Sequence, residues 1–312
     1  MKYLPLLSPR QHRLQALPGI GVGSHVTRGQ CLATNVWGEA LHAPEAGVLL
    51  DLRLHPVAWP EAPEVPTWTF QPDAVQAPLA YQPQPPRPLR PHLERLRVVG
   101  QGGAAFLAQR KWPREVKLLV INAMECEPDI TADAALLTTA PETVVQGILW
   151  LREALAAERT VLALKPGLPC PPLPPEVTVQ VLPGTYPAGA ERLLLPRLSS
   201  ILPGVLPAMQ SVVCHNVGTA YAVWQSLTQN LPPLGRWLSL GGSSLGQPQA
   251  LWASYGTPLR ALLAVGAYDG QGQVRVGGRY SGYALLPQAL DAPLQAHINA
   301  LYAAPARPVQ AP

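Results

Sequence analysis

The sequence predicts an α/β chain: a mainly parallel sheet covered by helices, preceded by a compact all-β unit and followed by a small α+β unit. Three observations predict it. Between about residues 92 and 232, apolar runs of strand length alternate with helical segments. The first 56 residues are short apolar pieces cut by glycines, with no helical periodicity. After Pro232-Pro233 the texture changes again. With 312 residues, 47% of them hydrophobic and 13% charged, there is apolar material for one large core or two modest ones, so disorder is excluded as the default. The net charge of +4 comes from 23 basic and 19 acidic residues scattered along the chain, so no nucleic-acid partner is expected. No window approaches the ~18 apolar residues of a membrane span. Met1 to Arg10 carries no cleavage-type site and reads as no export signal. Cys31, Cys126, Cys170 and Cys214 lie far apart with no C-x-x-C, which excludes a disulfide framework or local zinc spacing and fits the cytoplasm.

In chain order, residues 1–56 form the β unit, with turns at Gly19 to Gly23, Val26 to Ala33 and Ala43 to Asp51. Residues 57–91 are studded with proline and read as an extended linker. In residues 92–232, Arg97 to Val99 reads as a strand entering a glycine loop, with a helix after it that reaches Lys111-Trp112. Val116 to Asn122 is a strand, and Pro141-Glu142-Thr143 opens a helix to about Ala157. Strands follow at Thr160 to Leu164 and Val177 to Leu182, then a helix from Ala188 to Leu198, a strand from Ser211 to Cys214 and a helix from Val217 to Leu227. Residues 233–290 hold a strand at Arg236 to Leu240 and a short helix at Pro258 to Leu263. Residues 291–312 read as a helix remnant and a proline- and alanine-rich tail, loose from Ala303 onward.

The strongest local feature is Val99-Gly100-Gln101-Gly102-Gly103-Ala104-Ala105-Phe106. Missing side chains let a phosphate approach the backbone, a following helix start favours the anion, and Lys111 adds charge. Gly100, Gly102 and Ala105 also fit the G-x-G-x-x-A dinucleotide fingerprint; a tight turn needed only for packing is the other reading. A second cluster, Asn122 to Asp129, ends the most apolar strand. Its amide and carboxylates would accept hydrogen bonds from sugar or ribityl hydroxyls. Alternatively it is a solvated strand end with Glu125 capping a helix. Gly242 to Gly246 fits G-x-S-x-G, but Pro248 and Gln249 follow where a nucleophile elbow needs a helix. Cys214 and His215, adjacent on a strand, point to opposite faces and make no catalytic pair.

The glycine loop followed by INAMECEPDITAD, TYPAGAERL and VVCHNVGTAYAV, in that order, resembles the C subunit of Rnf-type electron transport complexes, and more distantly the flavoprotein subunit of respiratory complex I. The resemblance covers nearly the whole chain. It implies a Rossmann-like core, an N-terminal barrel-sandwich hybrid domain and a C-terminal β-grasp domain of the soluble-ligand-binding (SLBB-like) type. It also implies non-covalent FMN, NADH as substrate, and a place among the subunits of a membrane electron transport complex, cytoplasmic and at most peripheral at the inner face of the membrane. Carried over by position, Gly100, Gly102, Gly103 and Lys111 would hold the phosphate and ribityl portion of FMN. Asn122, Glu125 and Glu127 would line the flavin and dinucleotide side, with Glu127 toward NADH. Tyr186 and Gly189 would form the opposite wall, Asn216 and Thr219 would close the phosphate end, and Phe106 would stack on nicotinamide.

Four positions depart from the pattern. Ala105 stands where a loop glycine is common, and Leu107-Ala108-Gln109 replaces a proline and threonine. Met124 and Ala190 stand where the respiratory relative has carboxylates. The family's cysteine-rich cluster motifs do not follow Gly277 to Tyr283, so no iron-sulfur cluster is expected in this chain and a separate iron-sulfur protein is expected as partner. A non-redox scaffold that keeps the fold without cofactor, as in the A subunit of sodium-pumping quinone reductases, and a NAD-dependent Rossmann dehydrogenase remain as alternatives.

Overall fold

The computed structural model describes residues 1–305; the part of the tail reading that falls on 306–312 lies outside them. Seven strands make the N-terminal unit: β1 (Lys2–Pro5), β2 (Gln15–Ala16), β3 (His25–Val26), β4 (Cys31–Thr34), β5 (Ala40–His42), β6 (Gly47–Pro56) and β7 (Glu64–Pro72). They form one sheet in the order β1-β7-β6-β3 and a second in the order β2-β4-β5. Leu4, Leu32, Leu49, Trp68 and Phe70 fill the space between.

The linker reading of 57–91 needs correction. β7 lies inside it and pairs with β6 along its whole length, from Gly47↔Pro72 to Pro56↔Glu64. Pro66 and Pro72 masked the strand in the sequence. Both lie beyond the four residues that β1 pairs, Thr67 to Phe70, so their missing N–H groups cost that ladder nothing. The helix α1 (Leu89–Arg95) also begins inside the supposed linker, burying Leu89 and Leu93.

The central unit follows with β8 (Leu118–Ala123), α2 (Ala132–Thr139), α3 (Pro141–Leu155), β9 (Arg159–Leu164), β10 (Val177–Val181), α4 (Glu191–Leu194), β11 (Val212–Asn216) and α5 (Val217–Gln229). All four strands are parallel, in the order β10-β9-β8-β11. The chain steps outward from β8 through β9 to β10, then returns to the far side of β8 as β11. A switch point therefore opens between the carboxyl ends of β8 and β11. Helices α1, α2, α3 and α5 share the core on one face. Gly147 lets α3 rest on the backbone of α5, since a Cβ there would meet Ala220.

Two expected helices are shorter or absent. After the glycine loop there is only a 3-10 turn, Ala108–Lys111. The expected strand before it reduces to one bridge, Val99↔Leu107. Pro113 forces Trp112 out of the helical region, to φ −96° and ψ 100°, so no helix can propagate there. The helix expected at 188–198 is α4 plus a 3-10 turn, Leu195–Arg197, because Pro196 lacks the N–H that would continue it.

The C-terminal unit contains β12 (Gly235–Gly241), β13 (Gln249–Ser254), α6 (Leu259–Val265), β14 (Gln273–Val276), β15 (Tyr283–Ala284) and β16 (Ala300–Ala304). They form a mixed sheet in the order β13-β12-β16-β14-β15, and α6 joins the same core. Where a helix remnant was expected beyond 291, the described residues hold β16 after a 3-10 turn, Pro287–Asp291, and Ala303 and Ala304, expected to be loose, belong to that strand. Its alanine-rich sequence suits a helix, yet between β12 and β14 its small side chains are buried on both faces, with Ala300, Leu301 and Ala303 fully enclosed. Among the described residues, no helix is long and apolar enough to cross a membrane.

Candidate functional site

Asn122 and Asn216 are register partners at the ends of β8 and β11, at the switch point. Asn216 caps α5, its Oδ1 accepting from the Gly218 amide at 2.8 Å, while its Nδ2 donates to Asp133 at 2.9 Å. Asn122 donates to the Gly189 carbonyl at 2.9 Å and accepts from the Met124 amide at 3.0 Å. Thr219, in the first turn of α5, accepts from the Gln101 amide at 3.0 Å and so ties the glycine loop over that helix start.

The loop closes on itself through a Gly100 amide bond to the Phe106 carbonyl at 2.8 Å. A Cβ on Gly102 would stand 3.4 Å from that of Asn216, and Gly103 has φ +95°. Ala105, the residue that replaces a glycine, also sits in the left-handed region at φ 51°, only 6% exposed. Among the described residues, the amides of Gly102, Gly103 and Ala104 donate no hydrogen bond. Lys111 reaches the same space, its Nζ 2.6 Å from Glu191 and 3.4 Å from the Cys214 carbonyl. Gly102, Ala104, Ala105 and Lys111 border a chamber of about 230 Å³, as does Phe106. A second chamber of about 230 Å³ shares Gly102, Asn122, Gly189 and Asn216 with it and runs toward Glu125, Glu127 and Tyr186, so the two are one continuous cleft.

At the acidic strand end, Glu125 caps α2, accepting from the Asp133 amide at 2.7 Å and the Ala134 amide at 3.1 Å. The capping alternative is realised, although the side chain also borders the cleft. Burial and the neighbouring Asp133 push the Glu125 carboxyl up to about 8, and burial pushes Asp133 up to about 6 against the hydrogen bond from Asn216. Full ionisation of the pair is therefore disfavoured. Glu127 is turned to the cleft lip, where Ser281 donates to it from its amide at 2.9 Å and its hydroxyl at 2.6 Å.

Gly189 has a packing reason of its own: a Cβ there would lie 3.0 Å from that of Met124 and 3.2 Å from the Cys126 sulfur. Met124 is wholly buried in the core cluster with Leu194 and Cys214, so its departure adds core there. Phe106 lies beneath the Arg10 guanidinium, 4.1 Å from the ring centre.

Of the residues singled out in the sequence, Gly100, Gly102, Phe106, Lys111, Asn122, Gly189, Asn216 and Thr219 border the inner chamber, while Glu125, Glu127 and Tyr186 lie along the outer one. Gly103 faces Asn299 instead. Four cleft residues were missed. Gln101 read as a spacer between glycines, but its buried Oε1 has no partner and its carbonyl accepts from Arg236 at 2.6 Å. Arg236, a residue of β12 that is 4% exposed, lies too far along the chain for any local motif to connect it with the loop. Asp133 was hidden because no helix was read between Asn122 and Pro141, where α2 lies, and Glu191 was passed over beside Ala190.

Residues 93–225 match the family model described as the Nuo51 FMN-binding domain. The chain is 31% identical over 307 residues to the C subunit of the ion-translocating oxidoreductase complex of Pectobacterium carotovorum subsp. carotovorum, covering 91% of this chain and 41% of that protein. It is 32% identical over 324 residues to the protein of the same name in Pseudomonas aeruginosa, covering 95% of this chain and 41% of the relative. The chain thus spans less than half the length of the curated relatives it matches. Among solved structures, the fold is similar to a chain of the NAD+-reducing [NiFe]-hydrogenase in the H2-reduced state, with 21% identity, a TM-score of 0.55, and coverage of 69% of this chain and 46% of that one. The protein is therefore similar, along nearly all of its own length, to the C subunit of ion-translocating oxidoreductase complexes, and its central unit is similar to the Nuo51 FMN-binding domain.

Proposed function

We propose that this chain is an electron-transfer subunit that holds FMN non-covalently in the cleft, takes NADH as reductant and hands electrons to an iron-sulfur acceptor within a membrane-associated complex. One observation carries the reading: the unpaired amides of Gly102 and Ala104 belong to residues that border one chamber together with the Lys111 ammonium and the start of α5, a donor set suited to a phosphate dianion. FMN, when bound, accepts a hydride from reduced nicotinamide and releases electrons singly. The chain's residues bind and orient. The free amides of Gly102 and Ala104, with Lys111, grip the phosphate, the Gly100–Phe106 bond closes the loop, Asn216 and Thr219 hold the loop to α5, and Asn122 stands at the strand end. Burial and mutual repulsion disfavour full ionisation of the Glu125–Asp133 pair, which limits negative charge in a cleft that receives anionic ligands.

The two-sheet N-terminal unit is taken as a barrel-sandwich hybrid and the C-terminal unit as an SLBB-like β-grasp, with the chain peripheral at the cytoplasmic face. The dehydrogenase alternative loses its basis, since no helix follows the glycine loop to receive a pyrophosphate. A scaffold role retains two specific supports: Ala105 in a left-handed conformation, and Lys111 already paired to Glu191.

The deciding experiment is to incubate the purified chain with FMN, remove free ligand and record the visible spectrum before and after anaerobic NADH. Retained flavin that bleaches with NADH supports electron transfer. A colourless protein indifferent to both ligands supports the scaffold.

A further inference from the structure

At the lip of the outer chamber, Glu127 meets the turn between β14 and β15. Its carboxylate is largely occupied: the Tyr280 amide, the Ser281 amide at 2.9 Å and the Ser281 hydroxyl at 2.6 Å all donate to it. Gly278 approaches so closely that a Cβ there would overlap the carboxylate. From the same turn, Arg279 bonds Asp129 at 2.8 Å and the Tyr302 hydroxyl at 3.2 Å. These anchors fall within four consecutive residues, so the turn is a rigid mount. What it displays is the Tyr280 ring, 52% exposed, with its centre 5.1 Å from that of Tyr186 and tilted by 44°. Tyr186 lines the cleft and is itself 42% exposed. Tyr280 thus stands beside a residue of the cleft wall, and the exposed area of the two rings matches a planar aromatic ligand, which would cover it.

We infer that Tyr280, supplied by the C-terminal unit, is a further substrate-contact residue. With Tyr186 it stacks against the planar heterocycle of the dinucleotide, and Glu127 is a positioning residue that acts through Tyr280. This deepens the proposed NADH reading and rests on it. It also narrows the direct ligand role given to Glu127, because three of its roughly four acceptor sites are already taken by the turn.

The test is NADH affinity of the full chain by calorimetric titration, with FMN affinity measured in parallel on the same variants. Tyr280→Ala weakens NADH by about tenfold, the loss of one stacked aromatic pair with its buried area, and leaves FMN affinity unchanged. Tyr280→Phe restores NADH affinity, because the ring and not the hydroxyl is used. Glu127→Gln weakens NADH in the native background but adds nothing in the Tyr280→Ala background, the signature of one residue acting through another. NADH affinity in Tyr280→Ala within twofold of the native chain overturns the inference. So does a Glu127→Gln effect of equal size in both backgrounds, or the absence of NADH binding by the native chain. If FMN fails to bind while NADH binding still depends on Tyr280, the flavin reading falls and the aromatic contact stands; FMN binding with a silent Tyr280→Ala gives the reverse.

Discussion

Lys111 and Glu191 form an ion pair at 2.6 Å with both side chains 35% exposed, so any phosphate that uses Lys111 must share it with Glu191. Exposed pairs of this kind contribute about 0.2–1 kcal/mol, so Lys111→Met lowers folding stability by no more than about 1 kcal/mol. A hydrogen bond to a charged group contributes about 1.5–3 kcal/mol, so the same substitution weakens FMN by roughly ten- to a hundredfold. Glu191→Gln acts in the opposite direction. It frees the ammonium and removes a negative neighbour, recovering up to the pair's own ~1 kcal/mol, which is about fivefold tighter binding. Both effects shrink at high salt, because the cleft is open to counterions. The assay is a flavin fluorescence titration at low and high ionic strength, with thermal unfolding as the folding control. If Glu191→Gln weakens FMN as Lys111→Met does, the ammonium serves the local fold and not the phosphate. If neither variant shifts the titration, the phosphate site lies elsewhere.

Ala105→Gly relieves a left-handed conformation that costs alanine about 1–2 kcal/mol, against a loss of about 0.4–1 kcal/mol through the freer unfolded chain. The ligand-free protein gains up to about 1 kcal/mol, read as a raised melting temperature; a lowered one refutes the strain argument. Glu125 and Asp133 have carboxyls raised in the folded state, from 4.5 to about 8 and from 3.8 to about 6, so the folded chain binds their protons more tightly than the unfolded chain does. Their contribution is full below the unfolded values and is lost as pH rises toward 8, and Glu125→Gln flattens that decline in melting temperature between pH 4.5 and 8.5; a curve parallel to the native one contradicts the assignment. Gly189→Ala forces a methyl to 3.0 Å from the Met124 Cβ, an overpacking cost of about 1–3 kcal/mol, and loosens the bond to Asn122. Melting temperature and FMN affinity should fall together; unchanged values of both would show that the wall yields freely.

What the sequence made legible was whatever depends on local pattern. The apolar runs at Leu118 to Ala123 and Arg159 to Leu164 are buried parallel strands, and Pro141 opens α3 as its position implied. Asn122 was found because strand ends in a parallel sheet are where polar side chains meet a cleft, whereas Asn216 came from the family resemblance alone. Three features stayed hidden for distinct physical reasons. β7 was obscured by prolines whose missing amides fall outside the stretch that β1 pairs. β16 has the composition of a helix and is a strand because its neighbours β12 and β14 leave an edge for it on either side. Arg236 and the turn around Tyr280 reach the cleft only through tertiary folding, across more than a hundred residues from the glycine loop and from Glu127 respectively.

The two ends of the cleft are built from different materials, and this bears on how its functions separate. The inner end relies on the main chain: free amides of the loop, the capped start of α5, and glycines where a Cβ would crowd a neighbour. Substitutions there act through φ or through steric overlap, so few residue types are compatible with the geometry and its loss is abrupt. The outer end relies on side chains from two units, held together by Glu127, Asp129 and Arg279. Changes there leave the loop intact and grade smoothly with ring area and hydrogen-bond count. Retention of a phosphate-bearing cofactor and recognition of its reductant can therefore be lost independently. A variant that keeps bound flavin yet no longer reduces it on adding NADH should carry its lesion at the β14–β15 turn rather than in the glycine loop.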